Sequence, residues 1–241
     1  MVDLGIILVL AHILGDYVLQ TNNLFELKKE KFIGKFLHSL VIAIVTIILI
    51  PTMQGLYLSL IMGVTHYIID FSKIKSIWKS KLGAFLFDQF LHFVVILVLV
   101  YLFGETFQLF WFPQYRSLVL KFSCLTIGIV LNLPVSNFII TKFFLTHYPN
   151  LDFENGLKNA GKFIGYLERI IIMIMVLTDN ITGIGFLVTA KSILRIGKIT
   201  DNKDKKEAEY IILGTFLSFV LALLWSYLLK YFAFTANAWI I

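Results

Sequence analysis

Three pairs of residues within the first 104 positions set an imidazole four residues from a carboxylate: His12 with Asp16, His66 with Asp70, and His92 with Asp88. Residues four apart share one helix face, so each pair offers a nitrogen and an oxygen ligand side by side. A seventh group, His38, follows His12 by 26 residues, just as His92 follows His66. Imidazole plus carboxylate is the ligand set of zinc, manganese or iron, and no cysteine lies close enough in sequence to make a thiolate site. Four histidines and three aspartates suffice for one or two ions, zinc being the first choice. His12, Asp16, His38, His66, Asp70 and His92 are the expected metal ligands, with Asp88 the expected general base. Gln20 and Gln89 are expected to donate hydrogen bonds that orient the carboxylates.

The spacing comes from a tandem duplication. His12-Ile-Leu-Gly-Asp16-Tyr17 returns 54 residues later as His66-Tyr-Ile-Ile-Asp70-Phe71, and Phe36-Leu37-His38 returns as Phe90-Leu91-His92. Residues 1–104 therefore read as two copies of one helical hairpin. Asp88 breaks the symmetry, because its counterpart is Gly34.

The elements that must position these groups are membrane helices. With 59% hydrophobic and 15% charged residues in 241, the chain has too little polar surface to cover a soluble globule. The expected fold is an all-α, polytopic helix bundle of about eight spans, near residues 2–20, 29–50, 55–72, 83–104, 117–141, 163–179, 181–195 and 209–233. The first stretch contains His12 and Asp16 and lacks a basic leader and a cleavage site, so it is retained as a membrane helix. Residues 1–104 form the duplicated His/Asp half, and 105–241 a C-terminal four-helix half. The lone cysteine, Cys124, excludes an intramolecular disulfide.

Basic residues sort between the connections. All of the 21 except Arg116, Lys121, Arg169 and Lys230 fall at the first, third, fifth and seventh, among them Lys28, Lys35, Lys73, Lys75, Lys79 and Lys81. The positive-inside rule makes that side cytoplasmic and puts both termini outside. The net charge of +6 is thus accounted for by topology and anionic lipid headgroups rather than by a nucleic-acid surface. In this topology each aspartate lies nearer the cytoplasm and each histidine about one turn, roughly 5 Å, deeper. Ionisable groups at such depth are costly unless paired, hydrated or coordinated, so seven in four helices point to function.

The second half offers less chemistry. Pro134 should kink the fifth span. Glu168 is expected to form a structural ion pair with Lys191 or Arg195. Gly161, Gly165, Gly183, Gly185 and Gly214 suit close helix packing.

His12-x-x-x-Asp16-x-x-x-Gln20, His66-x-x-Ile-Asp70 and Asp88-Gln89-x-x-His92 resemble an uncharacterised bacterial integral-membrane family, catalogued as domain of unknown function 3307. So do Gly165-Tyr-Leu-Glu168-Arg169, the segment from Gly185 to Arg195, and the segment from Glu207 to Thr215. The resemblance implies a bacterial plasma-membrane location and carries no activity.

The residues themselves suggest a metal-dependent hydrolase acting on a lipid-linked or amphiphilic substrate, with membrane lipids as its surroundings. Two alternatives use the same groups differently. One is a proton, metal-ion or small-solute transporter with a His/Asp relay; the other is a scaffold whose buried polar network fixes helix packing.

Overall fold

Apolar runs this long leave the helix as the way to satisfy backbone groups inside a bilayer, and the computed structural model has helices and no strand among its described residues. Those residues are 1–72, 80–108, 113–148, 160–196 and 202–235, with the side chains at 113, 160, 192–196, 202–208 and 234–235 outside the described set. Lys73, Lys75, Lys79 and the Arg195 side chain fall outside it.

In chain order the helices are α1 (Val2–Tyr17), α2 (Asn22–Glu30), α3 (Phe32–Leu49), α4 (Met53–Phe71), α5 (Lys81–Phe103), α6 (Arg116–Val130), α7 (Ser136–His147), α8 (Ala160–Leu177), α9 (Ile181–Ile196) and α10 (Asn202–Lys230). Local sequence starts several of them. The side-chain oxygens of Thr21, Thr52 and Ser80 accept from the backbone N–H groups of Leu24, Gly55 and Gly83 at 3.3, 3.0 and 3.0 Å, capping α2, α4 and α5.

Four helical segments are long and apolar enough to cross a membrane: α3, α5, the continuous run Arg116–His147, and Glu209–Ala233. A fifth is α1 taken together with α2, although the two are bent by 85°. The sequence places the second span's start at about residue 29. Instead, Lys31 is extended between α2 and α3, and α2 turns across the bundle as a separate short helix. Among the other helices, α4 is as long as α3 but less apolar, because Gln54, His66 and Asp70 interrupt it.

The burial pattern is that of a membrane bundle. Tyr101 and Phe186 are 76% and 77% exposed, while His38, His66, Asn132 and Arg169 are buried. Apolar side chains facing outward around a polar interior need a lipid solvent, and the chain is accordingly read as a membrane protein.

Pro134 is accommodated without ending its helix. Leu131–Val135 form a π-helical turn between α6 and α7, a local adjustment that lets a membrane helix re-satisfy backbone groups freed by a proline. The hydroxyl of Ser136 donates to the Leu131 carbonyl at 2.8 Å, the Asn132 amide donates to the Gly128 carbonyl at 3.0 Å, and Arg169 Nε donates to the Asn132 carbonyl at 2.5 Å.

Of the glycines expected to pack closely, Gly214 does so, a Cβ there meeting the Phe144 ring of α7 at 3.4 Å, but others do not. Nothing lies within 4 Å of a Cβ built at Gly161 or Gly185, whereas one at Gly63 meets Ala43 at 3.1 Å and one at Gly128 meets Leu229 at 2.5 Å. Glycine count along a helix says nothing about which face meets a neighbour; that depends on the partner helix.

Candidate metal centre

The N-terminal half is built in layers. Leu8, Ile42, Met62 and Ile96 belong to one apolar core cluster with Leu4, Ile7, Leu58 and Leu99. Each of the first four lies four residues, one helical turn, from His12, His38, His66 or His92 respectively. A further turn in the same direction comes the level of Asp16, Asp70 and Asp88, and beyond it a cavity of about 490 Å³ that has these three aspartates in its lining. The apolar layer therefore closes the histidines on one side, and on the other the aspartate level lies between them and the cavity.

The four histidines converge. The His66 and His92 rings stack with centroids 4.1 Å apart, His12 lies 4.9 Å from His92, and His38 lies 4.8 Å from His66. All four are buried. Asp16 is their hub. Its Oδ1 is 2.9 Å from His38 Nε2 and 3.3 Å from His66 Nε2, and these two nitrogens are 3.0 Å apart. Ligand atoms about 2.0–2.2 Å from one ion, at tetrahedral or octahedral angles, are separated by about 2.8–3.6 Å. The Asp16, His38 and His66 triangle has those edges. Asp70 Oδ2, 3.5 Å from His66 Nε2, stands next to it.

Two further groups of potential ligand atoms overlap with the first, namely His12 with His66 and His92, and Asp70 with Asp88 and His92. Sharing of His66 and His92 among the groups joins all seven residues into one cluster. His92 Nε2 is buried without a hydrogen-bond partner, with Asp88 Oδ1 3.9 Å away. An unpaired nitrogen at that depth is costly, and a divalent cation would satisfy it. The donor set thus fits a metal ion.

Same-helix pairs are not the tightest contacts. His12 is 3.7 Å from Asp16, its partner by sequence, whereas His38 on another helix is 2.9 Å away. Gln89 ties α5 to α1: its amide nitrogen donates to Asp16 Oδ2 at 3.2 Å and Asp88 Oδ2 at 3.4 Å, and its oxygen lies 3.3 Å from His12 Nε2. Gln20 lines the cavity instead, and its buried amide nitrogen has no hydrogen-bond partner.

Residues 4–119 match the family described as Protein of unknown function (DUF3307). The match covers a little under half of the chain. The DUF3307 segment contains the apolar layer and all seven ionisable groups, and it ends within α6. No curated protein and no solved structure matches the chain.

One participant in the DUF3307 segment carries no signal in the sequence beyond its charge. Lys28 Nζ, on α2, lies 2.5 Å from Asp70 Oδ2. The bend after α1 brings it there, and Gly34 permits the approach: a Cβ at position 34 would overlap the Leu27 carbonyl and the Lys28 amide. The missing fourth aspartate of the repeat is therefore explained by packing, since α2 backbone occupies the space that Asp88 fills in the other copy. Gly34→Ala is expected to push α2 outward and lower stability by about 1–3 kcal/mol, as overpacking does. Thermal unfolding in detergent checks this, and an unshifted midpoint would count against the packing explanation.

In the C-terminal half, Glu168 pairs with Lys191 at 2.5 Å. Its neighbour Arg169 is buried, donating from Nη1 to Ser218 Oγ at 2.7 Å besides its bond to Asn132. His147 is exposed and lies 3.0 Å from the Phe143 carbonyl of its own helix.

Proposed function

We propose that this protein is a metal-dependent hydrolase of the bacterial plasma membrane, acting on a lipid-linked or amphiphilic substrate from the cytoplasmic side. The observation that carries the reading is the triangle of Asp16, His38 and His66 atoms, of which Asp16 also lines the cavity. Asp16, His38, His66 and Asp70 would hold one ion, and His12 and His92 are placed to hold that ion or a second; zinc suits nitrogen and oxygen donors of this kind. A bound divalent ion supplies Lewis acidity and makes water a nucleophile near neutral pH.

The chain's own residues do the rest. Asp88, beside His92 and within the cavity lining, accepts the proton released when water attacks. Gln89 holds Asp16 and Asp88 in register through one amide group. The apolar layer behind the histidines keeps water from the far side of the bundle. The lysines lining the cavity support a cytoplasm-facing site under the positive-inside rule, a topology in which both termini would lie outside.

A transporter using the same residues as a relay would need a polar path through the whole bilayer. The layer of Leu8, Ile42, Met62 and Ile96 stands across that path.

Elemental analysis of the purified protein tests the reading. Wild type should retain one or two transition-metal ions per chain, and the His12→Ala, His66→Ala double variant should lose them. Asp88→Asn should keep metal yet lose hydrolysis of amphiphilic esters in mixed micelles. A metal-free wild type, or metal-ion flux into proteoliposomes without hydrolysis, would overturn the proposal.

A further inference from the structure

The cavity above the aspartates has an electrostatic character that the metal centre does not require. Its base is Asp16, Asp70, Asp88 and Gln89, and its rim carries five lysines: Lys28, Lys29, Lys35, Lys81 and Lys142. They come from four separate helices, α2, α3, α5 and α7. Their convergence is thus a product of tertiary structure and not of one basic run.

Several of these ammonium groups are held in place. Lys28 reaches Asp70, Lys35 lies 5.5 Å over the Phe71 ring, and Lys142 lies 5.2 Å over the Phe138 ring. Lys28 is thereby paired with Asp70, and Lys29 pairs with Glu26 at 2.8 Å, whereas a cation–π contact fixes Lys35 without neutralising it. Between base and rim the walls include Tyr17, Phe25, Phe85 and Phe138. The cavity is therefore acidic where a metal would sit, aromatic along its sides and cationic at its mouth.

Such a gradient suits a ligand with a compact anionic head and an apolar body. Lysine binds phosphate as a point charge, and a divalent ion at the base would face the same group. A volume of about 490 Å³ is within the usual range for a small-molecule site and holds a phosphorylated headgroup. A neutral ester would make no use of the charges of Lys35 and Lys81.

We propose that the lysine-rimmed cavity binds a phosphate group, making the substrate class of the centre a phosphoester. This rests on the hydrolase reading for its catalytic meaning, but phosphate binding itself can be measured without turnover. The phosphate belongs either to a membrane lipid or to a water-soluble phosphoester; the charge gradient is common to both.

The experiment uses the full chain in dodecyl maltoside micelles, with metal content measured on the same samples. Binding of phosphatidic acid is compared with that of diacylglycerol carrying the same acyl chains, and inorganic phosphate is used as competitor. Phosphatidic acid should bind at least about tenfold more tightly than diacylglycerol. The Lys35→Gln, Lys81→Gln variant should lose about tenfold or more of that affinity at unchanged metal content. Lys31→Gln, at an exposed lysine outside the cavity lining, should bind as wild type does.

If inorganic phosphate binds and phosphatidic acid does not, the source is a soluble phosphoester and the phosphate site stands. Equal binding of phosphatidic acid and diacylglycerol, without inorganic phosphate binding, overturns the proposal on wild type alone. So does an equal loss in Lys31→Gln, which would indicate adsorption to a basic surface. A metal-bearing protein that binds no phosphate refutes this inference and leaves the metal reading intact. A metal-free protein that binds phosphatidic acid through Lys35 and Lys81 does the reverse.

Discussion

Replacing Asp16 by asparagine is expected to lower zinc affinity about 100-fold or more while leaving the bundle folded. Asparagine keeps the volume and loses the charge, so packing against α3 and α4 changes little. What changes is the hub: Oδ1 serves both His38 and His66, at 2.9 and 3.3 Å, and Oδ2 accepts from Gln89 at 3.2 Å. A neutral amide is a far poorer ligand for a hard or borderline cation than a carboxylate. Loss of groups that merely orient ligands already costs 10–100-fold, and Asp16 stands in the ligand triangle itself. Competition against a chromophoric chelator measures the effect. Unchanged zinc affinity in Asp16→Asn would remove the triangle as the metal site, whatever the remaining histidines bind.

Arg169→Ala is expected to destabilise the C-terminal half by about 3 kcal/mol or more. The guanidinium donates to the Asn132 carbonyl and to Ser218, and it packs 5.4 Å from the Tyr166 ring. Truncation leaves the carbonyl without that donor in the π-helical turn around Pro134 and opens a void in a buried region. Hydrogen bonds from charged groups contribute about 1.5–3 kcal/mol each, and stranding a buried partner adds to the loss. The unfolding midpoint in detergent should fall by several degrees, with Arg169→Lys recovering only part of it because lysine lacks the planar fork. A midpoint equal to that of wild type would show that Arg169 does not tie α8 to the proline turn.

How far the sequence carries can be seen residue by residue. The i, i+4 spacing and the 54-residue repeat are enough to name the seven ionisable groups, because helical periodicity converts spacing directly into shared faces. The same periodicity cannot say which faces meet. His12 and Asp16 look like the natural pair, yet Asp16 lies closer to His38, since helix crossing angles and depth decide contacts between side chains on different helices. Gln20 and Gln89 look equivalent in sequence, and only Gln89 reaches the carboxylates. Lys28 looks like a topology marker. It becomes part of the site because the chain bends by 85° between α1 and α2.

Glycine illustrates the same division. Gly34 appears only as a gap in the repeat, and the backbone of α2 lying against it supplies the reason. Glu168 and Lys191, two charges on apolar helices, could be paired from sequence because a bilayer penalises either one alone. Arg169, adjacent to Glu168, could not be assigned, since its partner is a backbone carbonyl on another helix.

Composition and periodicity, then, determined by themselves that this chain is a helical membrane protein with a duplicated His/Asp half, because hydropathy and helical repeat are properties of neighbouring residues along one strand of chain. Tertiary structure alone decided that the imidazoles and carboxylates share one centre, that an apolar layer closes it on one side, and that lysines from four helices ring its mouth. Those are contacts between residues far apart in sequence, fixed by how helices cross and where the backbone turns.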